Sequence, residues 1–400
     1  MKKSTIITII AFALGIVILA AGFILLTDNN ISKQIFTTTT TTTAQGGGET
    51  EPAPTYEPMN FFKEDVSKYI TLGQYKEIQL EVDQLEVSNE LVDLQIKILL
   101  GQEQETTKIR EGKITDGTIF NFDYTGYLVN DDGSLGEAFE RGAATDQIGC
   151  VYGTDLITIT GTEVSGFVDG FAQGVLGHKV GETFKVNITF PEDYTINPSM
   201  AGKKTVFEVK INYILQPNFT DGWVKEYSSG ECTTTSQFFN DMKAELNATN
   251  EENNNQLLWN YIVNAATVIE IPQQQFDYLY NSFCEKVNYY VQMYSMYYGA
   301  TYSFDEMLTM FGFNNIDELK EYTIEYIKSD LVIYAIVQAE AFEVSDEEYN
   351  SVVSELMEAN EMTAEEVIEY YGGEEAIKES LLLQMASEMI LEENTFVQKK

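Results

Sequence analysis

The spacing of apolar residues changes character along the chain, and each change predicts a different kind of element. From Ser4 to Thr27 a run dominated by Ile, Leu, Ala, Val and Phe is free of charge, with Lys2 and Lys3 immediately before it. About 20 such residues suffice to cross a bilayer as a helix. The positive residues at its start and the acidic chain after it predict a single-pass membrane anchor over residues 1–27. The amino terminus is then cytoplasmic, the bulk of the chain extracytoplasmic, and the lipid bilayer a partner through this helix. Small residues at Ala20, Ala21 and Gly22 leave a cleaved signal peptide as the alternative, although the apolar run continues past them to Leu26. Residues 28–59 then lose apolar periodicity: Thr37 to Thr43 is pure threonine, Gly46 to Gly48 pure glycine, and Pro52, Pro54 and Pro58 follow. Such a composition buries no apolar area and reads as a linker.

Residues 60–112 read as a connector, with a strand over Tyr75–Val82 and a helix starting near Ser88. There Ser88-Asn89-Glu90-Leu91 offers a cap, and Leu91, Leu94 and Ile98 recur at helical spacing. Between 113 and 217 the period falls to two. Thr118–Gly126, Glu182–Phe190 and Thr205–Ile214 alternate and are rich in β-branched and aromatic residues, which predicts an antiparallel sheet. One short helix, set by Phe167, Phe171 and Val175 and ended at Gly177, is expected against it. From residue 218 to 400 the period is helical, with Pro272 and Gly372-Gly373 as breaks. Helices are expected over Ser236–Ile269, Gln273–Tyr298, Ser303–Phe311, Ile316–Phe342, Ser345–Asn360, Thr363–Tyr371 and Glu374–Glu393, with a capping box at Ser345-Asp346-Glu347-Glu348. The expected fold class is α+β: an antiparallel sheet with one short helix, then an all-helical domain, behind an N-terminal transmembrane helix.

Charge and composition narrow the function. The 400 residues carry 63 acidic and 24 basic side chains, a net charge of −39, which opposes the phosphate contacts of a nucleic-acid partner. The single histidine, His178, excludes a multi-histidine zinc site, and any Ser/His/Asp triad would have to use it. Cys150, Cys232 and Cys284 form neither a CxxC unit nor a disulfide framework. Cys284 lies among apolar helical residues, where a small buried thiol is the commonest case.

Six motifs stand in one order in the middle segment. They are Asp123-Tyr124-Thr125-Gly126-Tyr127, Ala138-Phe139-Glu140, Val164-Ser165-Gly166-Phe167, Gly177-His178-Lys179-Val180-Gly181-Glu182, Phe190-Pro191-Glu192-Asp193-Tyr194 and Val206-Phe207-Glu208-Val209. In that order they resemble the FKBP-type peptidyl-prolyl isomerases. The Phe190–Tyr194 element and the helical segments, with Pro272 after the first long helix and a late start at Val344–Glu348, resemble the trigger-factor chaperones among them. The resemblance covers about residues 70–395. It implies an FKBP-like domain over 113–217 and a helical substrate-binding domain over 218–400. The implied activity is cis/trans isomerisation of X-Pro bonds, and the implied partners are unfolded or nascent exported polypeptides. No cofactor and no metal are implied. The anchor and linker stand where trigger factors carry their ribosome-docking domain and Gly-Phe-Arg signature, so no ribosome docking is expected.

Carried over residue by residue, the resemblance places Tyr124, Phe139, Phe167, Tyr194 and Phe207 around a pocket. Glu140 stands where many members have Asp, the Val164 backbone amide would donate to the substrate carbonyl, and Tyr194 could add a hydroxyl donor. Set against the family, an extra loop containing Cys150 is expected between Glu140 and Ile157 and a shortened loop from Ile159 to Thr162, and Ile157 or Ile159 is the remaining pocket position. His178 falls on a turn that resembles a surface turn of the family. Val164-Ser165-Gly166 departs from the family's usual Val/Ile-Pro-Gly, with Glu163 at a normally apolar place. A holdase with an inactive or weakly active FKBP-like domain is therefore the alternative.

The chemistry agrees with this composition on its own terms. Rotation about a prolyl amide meets a barrier of about 18–20 kcal/mol because the C–N bond has double-bond character. Lowering it requires only that the twisted state be favoured, with no nucleophile or metal. In the helical part, residues 276–313 are rich in tyrosine and methionine, and Tyr290, Met293, Tyr294, Met296 and Tyr297 are the candidate client-binding residues. Met and Tyr adapt to varied apolar segments, and the acidic surroundings favour basic or neutral clients. The same stripe reads equally well as a helical core with tyrosine edges.

Overall fold

A computed structural model describes residues 56–399 except 131, 161, 162, 195 and 196, and only the backbone of 140, 141, 159, 160 and 163–165. The expected anchor and nearly all of the linker lie outside the described residues. Among those described, no helix is long and apolar enough to cross a membrane. The described residues form two compact units, one of residues 84–251 and one of residues 56–83 together with those from 252 on.

Two short strands come first, β1 (Ile70–Thr71) and β2 (Gln79–Val82). The expected strand Tyr75–Val82 is reduced to its last 4 residues; before them Glu77 takes a φ of 58°, outside the extended region. Helix α1 (Asn89–Gln102) starts at Ser88, whose hydroxyl accepts from the Leu91 amide at 3.2 Å, as the capping pattern predicts. Its buried residues Val92, Leu94, Ile96, Ile98 and Leu100 alternate, a period that alone would suggest a strand. In a helix, residues four apart share a face. Leu94 and Ile98 therefore form one stripe, and Val92, Ile96 and Leu100 another nearly opposite. The first packs on Ile119, Cys150 and Leu215; the second packs with Phe219, Trp223, Phe238 and Met242. A helix covered on two sides must be apolar on both.

There follow β3 (Thr106–Ile109), β4 (Ile119–Val129), β5 (Leu135–Tyr152), β6 (Asp155–Thr160), β7 (Glu163–Gly166), α2 (Phe171–Val175), β8 (Thr183–Thr189) and β9 (Lys204–Pro217). The strands make one seven-stranded antiparallel sheet in the order β3-β9-β4-β5-β6-β7, with β8 also paired to β9. β4, β8 and β9 stand where alternation predicts strands, and α2 buries Phe171, Ala172 and Val175 against them. Gly177 follows at a φ of 84° and its amide donates to the Ile114 carbonyl at 2.8 Å, the left-handed turn that glycine permits.

The expected loop between Glu140 and Ile157 is a correction. β5 runs through it to Tyr152, the chain turns at Gly153 with a φ of 57°, and β6 returns. Ile159 and Thr160 likewise belong to a hairpin, paired with Val164 and Glu163 of β7. The run Ala143-Ala144-Thr145-Asp146-Gln147 is small and polar and carries little strand propensity. It is extended because β4 lies alongside, with Ile119 opposite Cys150 at one end and Val129 opposite Leu135 at the other.

α3 (Asp221–Tyr227) and α4 (Thr235–Ala265) come next. α4 stops short of the expected Ile269 because Thr267 and Val268 form β10 (Thr267–Val268) against Thr71 and Ile70; β-branched residues pack well in that extended form. Then come α5 (Gln273–Tyr298), α6 (Phe304–Met310), α7 (Ile316–Glu340), α8 (Asp346–Asn360), α9 (Ala364–Tyr370), α10 (Glu374–Glu392) and β11 (Thr395–Gln398). α7 ends before the expected Phe342 because Ala341 turns left-handed at a φ of 52°. The predicted capping box at Ser345 and Glu348 is present, and Ser303–Glu306 and Thr363–Glu366 form two more. β11 pairs in parallel with β2, Thr395 opposite Gln79, a pairing that no local pattern predicts.

The main core of this second unit joins Phe61, Val66, Ile70 and Ile78 to Leu258, Trp259, Leu331, Ile336 and Ile390. Side-chain amides fasten the leading segment. Gln338 donates to the Phe61 and Glu64 carbonyls at 3.0 and 2.7 Å and accepts from the Val66 amide at 3.2 Å. Asn394 accepts from the Ile78 amide at 2.8 Å and donates to the Tyr75 carbonyl at 3.0 Å. Residues 56–83 thus belong to the helical unit, and the stretch 60–112 is divided between the two units.

Candidate functional site

The sheet of the first unit gathers the aromatic side chains that the motifs single out. Phe207 on β9 lies opposite Gly126 of β4 and Val186 of β8 and is only 4% exposed. Tyr124, two residues before Gly126 and so on the same face, has its ring 6.0 Å from Phe207 and 5.1 Å, edge-on, from Phe167. Phe167 meets Phe171 at 4.4 Å, and Phe171 meets Phe207 edge-on at 5.2 Å. Offset and edge-on pairs are the favoured arrangements of such rings.

Phe139 joins the group through a bulge. Thr125 pairs with Ala143 and Tyr127 with Ala138, so Gly126 alone faces residues 139–142 of β5. A bulge re-aims a side chain, and here it sets Phe139 edge-on at 5.7 Å to Phe207 and at 6.2 Å to Phe190. Phe190 in turn carries Tyr194 at 4.9 Å. Next to the bulge a polar chain ties the strands together. The Asn212 side chain donates to that of Asn121, Asn121 donates to Asp146, and the Asp146 amide donates to Asp123, each at 2.9 Å.

Tyr124, Phe139, Phe167, Tyr194 and Phe207 therefore form one connected set of rings. The side chains of Glu140 and Val164 lie outside the described residues; their backbones stand in the β5 bulge and in β7, opposite Ile159. Ile157 packs with the cluster of Leu94, Ile98 and Cys150 beside α1, and the side chain of Ile159 is outside the described residues. Three rings that the resemblance did not place around the pocket complete the set: Phe122, which stacks on Tyr124 at 5.8 Å, Phe171 and Phe190. Phe122 was legible as the inward neighbour of Tyr124 in the β4 alternation. Burial pushes the Tyr124 phenol up from its ordinary value of 10.0, so it stays a neutral hydrogen-bond donor. The set offers a partly buried apolar surface that can hold a saturated ring by dispersion and keep water from an adjoining amide.

His178 stands in the turn before β8. Its ring stacks on Phe184 with centroids 3.5 Å apart, and its Nδ1 lies 3.0 Å from Glu182 Oε1. Cys150, expected in a loop, is buried in β5, and burial pushes its thiol up to about 11. Among the described residues the cysteines are free thiols.

The candidate client-binding residues divide between two faces of α5. Tyr290 and Tyr294 pack against the cluster of Phe283, Val287, Met307, Leu308 and Leu319, with Tyr290 at 5.2 Å from Phe311 and Tyr294 at 5.9 Å from Tyr302. Phe283, Val287, Tyr290 and Tyr294 follow one helical stripe. Met296 lies nearly opposite Tyr294 and is 83% exposed; Tyr297 is 80% exposed. Met293 is half-buried. The stripe is thus core on one face and open on the other.

Comparison with known proteins bears on both units. Residues 110–212 match the family described as FKBP-type peptidyl-prolyl cis-trans isomerase, and residues 235–392 match the bacterial trigger factor protein (TF) C-terminus. The trigger factor of Halothermothrix orenii is 27% identical over 342 residues, covering 82% of this chain and 74% of the relative. That of Bacillus subtilis is 28% identical over 340 residues, covering 82% and 74%. A solved structure of the trigger factor chaperone aligns over 81% of this chain and 72% of its own at 16% identity, with a TM-score of 0.28, a likeness that carries no argument. With the ordered aromatic set in the first unit and the capped helices of the second, these matches make the chain trigger factor-like, an FKBP-type isomerase domain combined with a trigger factor C-terminus.

Proposed function

We propose that this chain is a membrane-anchored, extracytoplasmic folding factor that isomerises X-Pro bonds and holds unfolded exported polypeptides. The observation that carries the isomerase reading is the connected ring set around Phe207, in the residues that match the FKBP-type isomerases. A prolyl ring seated on Tyr124, Phe139, Phe167, Tyr194 and Phe207 leaves its amide in a dry setting. There the twisted state, which has lost its conjugation, is disfavoured less than in water. The Val164 amide and the Tyr194 hydroxyl supply donors to the neighbouring carbonyls, and Glu140 borders the site. Met296 and Tyr297, with Met293, Tyr290 and Tyr294 behind them, supply the client-holding surface. Lys2, Lys3 and the apolar run to Leu26 support the anchor, with the amino terminus in the cytoplasm.

The test is a proline-limited refolding reaction, whose uncatalysed phase lasts tens to hundreds of seconds. The purified full chain at substoichiometric amounts should shorten that phase, and Phe207→Ala should abolish the effect. Protease added outside intact cells should degrade the folded units; full protection would refute the extracytoplasmic reading. A second reading, a holdase with an inactive FKBP-type unit, is favoured by the pairing of residues 163–166 as β7 with β6 and by Ser165 in place of proline. Suppressed aggregation without acceleration would establish it.

A further inference from the structure

We infer that Gly126 and Gly142 are positioning residues that grip the Phe139 ring and hold it in the wall of the aromatic site. The functional part of this inference rests on the isomerase reading above. Neither glycine has a positive φ, so the backbone at these positions accepts any residue. What excludes a side chain is the ring. A Cβ at Gly142 would stand 2.5 Å from Phe139 Cε2 and 2.7 Å from Cδ2 and Cζ. A Cβ at Gly126 would stand 2.5 Å from Phe139 Cε1, 2.6 Å from Cζ and 2.8 Å from Phe207 Cε1. Non-bonded carbons rest at about 3.5–4.0 Å. The two glycines therefore meet the outer edge of the ring from both sides, one from β4 and one from the far end of the β5 bulge.

A glycine inside a strand carries an entropic cost and packs nothing itself. Two of them around a single side chain mean that the place of that side chain matters. Phe139 is half-buried, so the slot does not serve a ring that merely fills the core. It fixes an open ring edge-on to Phe207 and Phe190, and through Phe190 it sets the distance to Tyr194. A methyl at either glycine must drive Phe139 outward and part the two halves of the set.

The experiment is a double-mutant cycle on the full chain with Gly142→Ala, Phe139→Ala and the pair together, read as kcat/KM for prolyl isomerisation and as the urea midpoint of the first unit. Gly142→Ala should lower kcat/KM about ten- to a hundredfold, the scale on which small misplacements act. In the Phe139→Ala background it should lower neither kcat/KM nor the midpoint, because no ring is left to displace and alanine only removes the glycine's entropic cost. Losses that multiply in the double variant, or a Gly142→Ala rate within about twofold of the parent, overturn the inference. If Gly142→Ala does not fold, the double variant decides: it folds if the ring is the obstacle, and an unfolded double variant overturns the slot. A parent chain without isomerase activity refutes the isomerase reading alone. The midpoints then judge the slot, with a Gly142→Ala loss confined to the chain that keeps Phe139 upholding it and equal losses in both backgrounds overturning it.

Discussion

Replacing Phe207 by alanine separates catalysis from folding. The ring is 4% exposed and meets Tyr124, Phe139 and Phe171 at 6.0, 5.7 and 5.2 Å. Removing a buried Phe side chain costs about 3–5 kcal/mol through lost transfer energy and the cavity left behind. A domain of this kind holds about 5–15 kcal/mol, so Phe207→Ala leaves a substantial folded population at room temperature. With a urea dependence of about 1–3 kcal/mol per molar, the midpoint of the first unit should fall by at least about 1 M. The two tryptophans fall one in each unit, Trp223 and Trp259, so a Trp259→Phe background makes fluorescence report the first unit alone. Prolyl isomerisation assayed below that transition should be lost while client holding is kept. An unchanged midpoint would refute the placement of the ring in the core, and full activity in the destabilised variant would refute its part in the site.

Other outcomes follow from the same geometry. Because burial raises the Tyr124 phenol, isomerase activity should not fall between pH 6 and about 9 through loss of this donor; an activity loss there that Tyr124→Phe abolishes would contradict it. Burial pushes the Asp330 carboxyl up from 3.8 to about 7, beside the Tyr326 and Tyr334 phenols that feel its charge. The folded form then binds the proton more tightly than the unfolded one, so this group lowers the stability of the helical unit as pH rises from about 4 to about 7. Asp330→Asn should flatten that fall in thermal melts and raise the melting temperature at pH 8. Gln338→Ala breaks three hydrogen bonds to the backbone of residues 61–66. It should cost about 1–3 kcal/mol and speed amide exchange in that segment. Met296→Ser with Tyr297→Ser alters exposed side chains only; stability should move by no more than about 0.5 kcal/mol, while suppression of client aggregation drops several-fold.

Local pattern carried most of the elements. Alternation marked β4, β8 and β9, helical period and capping residues marked the helices from Gln273 to Glu392, and the motif order named five rings that the fold brings together. Those signals are short-range: a cap, a face or a strand depends on residues a few positions apart. What stayed hidden depends on partners far along the chain. β5 beyond Glu140 reads as a loop, since its small polar residues become a strand only beside β4. α1 alternates like a strand because it is covered on two sides by groups that its own sequence does not reveal. Residues 60–83 read as the start of a connector because Gln338 and Asn394, more than 250 positions away, hold them to the helical core. The site shows the same division. The rings were legible as motif residues, whereas the slot of Gly126 and Gly142 exists only once the bulge lays Phe139 between them. A glycine's meaning there lies in the space its missing Cβ leaves to another residue, and that space is a property of packing rather than of sequence spacing.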